Sequence, residues 1–210
     1  MGLRAPVTRA SLLLRLRGRD SDLAWHEFHR LYQGLILGYA SERGCRGDLA
    51  YEVLQQTMIT LLRVLPRFEC RQAPGQFRCY LRRIVHSHVV DTVRRQRKYV
   101  LATAGSGEGD EGADPFARIP DENSPQACAD WDRQWERNLL AQALERVRAK
   151  VSDSTFASFC RYVLEGRSVE EVCREFGLAA NAVYQQRSRV LTMLRREIER
   201  IRAEVGECET

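Results

Sequence analysis

The sequence predicts an all-α protein of two small helical domains joined by a flexible acidic linker, the second domain carrying a helix-turn-helix. Three observations predict it. Apolar residues recur at the three-and-four spacing of helix faces, while period-two alternation bounded by turn residues is missing. Residues 100–128 are rich in Gly, Asp and Glu and then carry Pro115, Pro120 and Pro125, a composition that buries too little apolar surface to order itself. Near the C-terminus, Gly177 separates two helical patterns, the plan of a helix-turn-helix.

Charge follows the same division. The 210 residues carry a formal net charge of +5. Residues 1–99 hold 18 Lys+Arg against 8 Asp+Glu, residues 100–128 hold 1 against 6, and residues 129–210 hold 14 against 14. A basic first part therefore points to a polyanionic partner. Only Lys98 and Lys150 are lysines; arginine suits phosphate and base-edge contacts through its planar fork, and codon bias in a GC-rich genome accounts for the preference equally well.

Residues 1–20 form an N-terminal segment. Its Leu12-Leu13-Leu14 run is too short for a signal-peptide core and has no small-residue cleavage site after it. A first helix is expected over 21–43, with Trp25, Phe28, Leu31, Tyr32, Leu35 and Ile36 on its buried side. Gly44 to Gly47 break it, and Asp48 is placed to cap a second helix carrying Val53, Leu54, Thr57, Met58, Leu61, Leu62 and Leu65 until Pro66. A loop over 67–76 with Pro74-Gly75 leads into a basic amphipathic helix over 75–98. Phe77, Leu81, Ile84, Val85 and His88 line its apolar side; Arg83, His86, Arg94 and Arg97 fall opposite. His88 reads as a satisfied core histidine. Such a helix packs on protein with one side and offers cations with the other.

The second domain is expected to start near residue 129. Trp131, Trp135, Leu139, Leu140, Ala143, Leu144 and Val147 mark one helix, and Phe156, Phe159, Cys160 and Val163 the next. Ser168-Val-Glu-Glu171 is a capping box, followed by Val169, Val172, Cys173 and Phe176 on one face. After Gly177 a long helix runs from about Ala180 to Ala203. Its buried face holds Val183, Val190, Leu191, Leu194, Ile198 and Ile201; Asn181, Tyr184, Gln185, Ser188 and Thr192 point outward. Asn and Gln suit base edges, Ser and Arg suit phosphate, and a plain solvated face of a helical hairpin is the competing reading. Arg187 falls near the middle of the apolar stripe, so either the helix leaves its domain core there or Arg187 reaches out to a phosphate.

Several classes are excluded. The seven cysteines form no C-x-x-C pair and their count is odd, which argues against a disulfide framework and a zinc module. No cofactor or metal is expected. No apolar run reaches the roughly 18 residues of a membrane span, so a cytoplasmic location is expected. There is no Walker loop, dinucleotide fingerprint, G-x-S-x-G or H-E-x-x-H, so the protein is not read as an enzyme.

Taken together, the two halves resemble a bacterial RNA polymerase sigma factor of the extracytoplasmic-function group, over roughly residues 20–99 and 130–200. Asp48 through Phe68, with Gln55-Gln56-Thr57 and Leu65-Pro-Arg-Phe68, resembles the family's core-polymerase-binding helix. Gly75-Gln-Phe-Arg-Cys-Tyr-Leu-Arg-Arg-Ile84 and Asp91-Thr-Val-Arg-Arg95 resemble its Gly-Ser-Phe-Arg-x-Trp-Leu-x-x-Ile and Asp-x-x-Arg-Arg patterns. Asn181 to Leu191 resembles the recognition helix of region four. Tyr80 stands for the usual Trp, His86 where Arg is frequent, and Ser87 where Asn is.

The resemblance implies that residues 21–99 form a region-2-like domain and 129–210 a region-4-like domain. It implies polymerase contacts at Glu52, Gln55, Gln56, Leu61 and Leu65, on the β′ clamp helices, with the β flap as a second contact. It implies minus-ten contacts at Phe68, Phe77, Tyr80, Arg82, Arg83, His86, Arg94 and Arg95, with strand melting there; for Phe77 and Tyr80 core packing is the competing role. Minus-thirty-five contacts are implied at Asn181, Tyr184, Gln185, Arg187, Ser188 and Arg189. Promoter DNA and core polymerase are the implied partners of a chain monomeric when free, and an anti-sigma factor is a further candidate. The alternative is a helix-turn-helix regulator that binds duplex DNA as a dimer without polymerase; no heptad run favours it.

Overall fold

The computed structural model describes residues 10–16, 21–65, 76–103, 121 and 124–205, and the regular structure among them is entirely helical. In chain order these are α1 (Ala10–Arg15), α2 (Ser21–Glu42), α3 (Asp48–Val64), α4 (Gln76–Thr103), α5 (Pro125–Arg148), α6 (Asp153–Phe159), α7 (Val169–Phe176) and α8 (Ala180–Val205). A single π-helical turn, Cys160–Leu164, continues α6. The all-α expectation holds. Of the predicted linker, residues 104–120 and 122–123 lie outside the described residues.

The chain divides into two compact units, one within Val7–Asn138 and one over Leu139–Val205. The change of unit falls inside α5, after Asn138, rather than at 128/129 where composition changes.

In the first unit α2, α3 and α4 pack on one another, and α1 packs on α2. Leu12, Leu13 and Leu16 of the N-terminal segment are buried there. Phe28, Leu31, Tyr32, Leu35, Ile36 and Tyr39 of α2 are fully enclosed; each such side chain contributes about 1.5–3 kcal/mol by leaving water. Trp25 is only half-buried. Gly47, with φ +55, takes the N-cap of α3, and Asp48 lies in the first turn without a capping bond. The expected Asp48 cap is therefore corrected: the chain enters α3 through a left-handed residue that glycine tolerates, and the carboxylate acts on the helix dipole instead.

The apolar stripe of α4 runs through Phe77, Leu81, Val85, Val89 and Val93, one residue per turn. The start of α5 packs on the same unit. Trp131 meets the Tyr39 ring edge-on at 5.0 Å, and Trp135 stacks with Tyr32 at 5.8 Å. Gly34 and Gly38 of α2 leave room for the side chains of Asn138 and Gln134, which a Cβ at either glycine would strike. Asn138 Nδ2 donates to the Leu31 carbonyl at 2.8 Å.

The second unit is built from the rest of α5, α6 with its π turn, α7 and α8. Leu139, Ala143, Val147, Phe159, Val172, Val183, Val190, Leu194 and Ile201 form its core. Leu140, expected inside, is 42% exposed. The capping box of α7 is complete: Glu171 N donates to Ser168 Oγ at 3.2 Å and Ser168 N to Glu171 Oε2 at 3.0 Å. Gly177 ends α7 in the left-handed conformation, φ +64, and α8 begins three residues later.

Candidate functional site

Three exposed helix faces gather the residues singled out by the sequence. On α3, Gln55 and Gln56 are exposed and Glu52 is half-buried. Leu61 and Leu65 are not on that face; at 0% and 1% exposure they belong to the core. The apolar residues that do face outward are Tyr51, Ile59 and Leu62, at 57%, 40% and 52% exposure. Tyr51, Gln55, Ile59 and Leu62 follow the four-and-three spacing of one helix face. Periodicity alone put Leu61, Leu62 and Leu65 in one group, because it gives a stripe's width poorly; Leu61 and Leu65, four apart, share the inward side, while Leu62 is turned about 100° from Leu61.

On α4, Arg83, Ser87, Arg94, Arg95 and Lys98 are exposed, and Asp91 lies among them. Tyr80 is half-buried beside this row. Three expected members are elsewhere. Phe77 is 1% exposed, its ring edge-on to Phe28 and Tyr32 at 5.8 and 5.9 Å, so it is a core residue. Arg82 and His86 are also buried, at 6% and 7% exposure. His86 Nδ1 and the Tyr39 hydroxyl lie in hydrogen-bond contact at 3.2 Å. The placement of His86 on an outward basic face is thus corrected: α4 is gripped from a second side by α2 and the start of α5, which the helical period of α4 cannot reveal. Phe68 lies outside the described residues.

The electrostatics of this unit have specific causes. Arg95 Nη1 donates to Glu52 Oε1 at 2.6 Å, joining the α3 and α4 faces. His88 shares a 2.9 Å hydrogen bond with the Thr60 hydroxyl, and burial holds its pKa below the ordinary imidazole value although Asp91 opposes this. Burial raises the Tyr39 hydroxyl's pKa, against the lowering by Arg43 and Arg82. Burial also pushes the Cys45 thiol up to about 11, with Glu52 adding to it; this cysteine is an inert core residue.

On α8, Asn181, Tyr184, Gln185, Ser188 and Thr192 are exposed, as expected of an outward face, and Arg187 and Arg189 are exposed as well. Gln185, Ser188, Arg189, Thr192, Met193 and Arg196 line one shallow groove along the helix. Arg187 does not interrupt the core. Its guanidinium sits 5.9 Å from the centre of the Tyr162 ring, and Tyr184 meets the same ring edge-on at 6.0 Å. Tyr162, in the π turn, therefore supports two outward side chains; no helical periodicity marks it. The Thr192 hydroxyl donates back to the Ser188 carbonyl at 2.9 Å, so it is occupied within the helix.

Residues 28–99 match the profile of Sigma-70 region 2. The match runs from Phe28 in α2 to Tyr99 in α4 and so contains the α3 and α4 faces. It covers less than half of the chain, and the second unit lies outside it. It supports a sigma-70 family sigma factor with a role in promoter recognition by RNA polymerase. Sigma factors are non-catalytic initiation subunits, in line with the absence of an enzyme motif from the sequence. No curated protein matches the chain. No helix among the described residues is long and apolar enough to cross a membrane.

Proposed function

We propose that the protein is a sigma factor of the extracytoplasmic-function group, which binds core RNA polymerase, directs it to specific promoters and opens the minus-ten element. The observation that carries this reading is that the region 2 match contains both an exposed apolar-and-amide stripe on α3 and an exposed arginine row on α4. The α3 stripe, Tyr51, Gln55, Ile59 and Leu62, suits a helical partner and takes the polymerase clamp helices; exposed apolar residues in a row mark protein contacts. Arg83, Arg94 and Arg95 take phosphates of the opened strand, a salt-sensitive term without sequence preference. Tyr80 stacks on an unstacked base, worth about 1–3 kcal/mol.

In the second unit, α7, the Gly177 turn and α8 act as a helix-turn-helix. Gln185 and Asn181 read minus-thirty-five base edges in the major groove, while Ser188, Arg189 and Arg187 hold phosphates. The protein works in the cytoplasm, beside the polymerase. An anti-sigma factor is a further partner of this class of protein. Run-off transcription with core polymerase and a genomic promoter library tests the reading. Transcripts starting at a shared promoter pattern are expected; no transcription above core alone would sink it, and tight duplex binding without core would favour the regulator instead.

A further inference from the structure

The groove along α8 is lined by polar side chains except at one place. Gln185, Ser188, Arg189 and Arg196 bring amide, hydroxyl and guanidinium groups to it, and Thr192 and Met193 lie between them. Thr192 acts as an apolar residue here because its hydroxyl is turned back on the helix. Thr192 Oγ1 donates to the Ser188 carbonyl at 2.9 Å, the local bond by which a helical threonine engages its own oxygen. The residue is exposed, so the part of it left to face outward is the methyl group. Met193 follows it, half-buried, with a soft and adaptable thioether.

Both residues stay within reach of the base edges that Gln185 would face. Thr192 lies two turns beyond Gln185 on α8, about 10 Å along the axis. The major groove is about 12 Å wide, so even a helix that crosses it keeps Thr192 inside. Arg196, about 16 Å beyond Gln185, is past that width and meets flanking phosphates instead. Donors and acceptors on the base edges answer to Gln and Arg. Thymine alone adds a methyl group at C5, and an apolar pair set among amides and guanidiniums has that methyl as its complement.

We propose that Thr192 and Met193 form a thymine-methyl reader, a specificity-determining pair that adds one base position to those read by Asn181 and Gln185. This deepens the reading of α8 as the DNA-reading helix and rests on it. Thr192 presents its methyl to the thymine methyl, and Met193 closes the contact from the side. The Thr192 hydroxyl takes no part, since it stays on the Ser188 carbonyl.

The test exploits deoxyuridine, which pairs as thymidine does and lacks only the methyl. A random duplex pool is enriched on the full chain, alone and bound to core polymerase, and the motif is remade with each thymine replaced singly by deoxyuridine. At one thymine the replacement is expected to weaken binding about three- to fivefold, the loss of one buried methyl. Thr192→Val keeps the methyl without the hydroxyl and should retain that ratio. Thr192→Ser keeps the hydroxyl without the methyl and should bring the ratio below about twofold, as should Thr192→Ser with Met193→Ala. A motif with no methyl-sensitive thymine would overturn the reader and leave α8 as a DNA-reading helix. An undiminished ratio in the double variant would overturn it too, as would loss of the ratio in Thr192→Val alone, which would assign the contact to the hydroxyl. No enriched motif from either form of the chain would remove the reading of α8 and the inference with it. A methyl-sensitive motif enriched equally without core would favour the regulator and uphold the reader.

Discussion

Lys150 Nζ donates to Glu197 Oε1 at 2.5 Å, tying the turn after α5 to α8. Arg200 reaches the same oxygen at 2.8 Å, and Arg146 lies 3.9 Å from the other. Glu197 is 5% exposed, so one buried carboxylate organises three cations. Arg146 in turn grips Glu204 with both terminal nitrogens, at 2.9 and 2.7 Å.

The hydrogen bond from Lys150, with the nearby cations, holds the Glu197 carboxyl below the ordinary glutamate value. Its stabilisation is therefore present above that value and lost as pH falls through the lower, folded one. Glu197→Ala is expected to cost about 1–3 kcal/mol in urea unfolding at neutral pH, with the difference from the native chain shrinking in acid. A difference constant down to strongly acidic pH would show that packing, not charge, is what the substitution removes.

His88 carries the opposite chemistry with the same sign of slope. Its lowered pKa means that the unfolded chain binds a proton that the folded chain refuses. Stability of the first unit should fall as pH drops below the ordinary imidazole value. His88→Gln, which keeps a partner for Thr60, is expected to flatten that part of the stability profile; an unchanged slope assigns it to other groups.

Gly38→Ala would normally gain about 1 kcal/mol of helix propensity. Here the new Cβ strikes the buried Gln134 amide, so a net loss of about 1–2 kcal/mol is expected. Gly38→Ala combined with Gln134→Ala should recover much of it. Thermal unfolding of the four proteins in the cycle gives the coupling, and a value near zero would mean that α5 does not press on α2 in solution.

Ser168→Ala removes the acceptor of the Glu171 amide and is expected to cost about 1 kcal/mol. Ser168→Asn or Ser168→Asp should restore most of it, as read by the midpoint of urea unfolding. Similar losses in all three variants would deny the capping role.

Tyr80→Ala should slow open-complex formation, followed by permanganate reactivity of promoter thymines, while polymerase binding stays within about twofold. Leu62→Asp should do the reverse and weaken polymerase binding at least about tenfold. Equal loss of both functions in Tyr80→Ala would assign that ring to the core.

Much of the fold is legible because helix faces write themselves into the chain at short range. The Ser168–Glu171 box, the Gly177 turn, and the ends of α2 and α3 need no knowledge of what lies elsewhere. The outward face of α8 was legible for the same reason. What periodicity cannot carry is which sides of a helix are occupied by partners distant in sequence. Arg82 and His86 look like surface residues on α4 taken alone; both are buried, and Tyr39 of α2 lies in hydrogen-bond contact with His86. Leu61 and Leu62 are indistinguishable as apolar letters, yet only their angular positions decide that one is core and the other faces out. Arg187 looked like a flaw in the core because Tyr162, twenty-five residues earlier, was not identifiable as its support.

The tryptophans of α5 have a consequence for where this chain can be cut. The stretch recognised as Sigma-70 region 2 ends at residue 99, but Tyr32 and Tyr39 are roofed by Trp135 and Trp131. A fragment trimmed to the recognised stretch would present those rings to water as a sticky aromatic strip, and would precipitate or pair with itself. A fragment that runs on to Asn138 keeps its own roof. The smallest piece that behaves as a soluble body is thus longer than the piece that similarity picks out, and its last helix must be cut in the middle to obtain it.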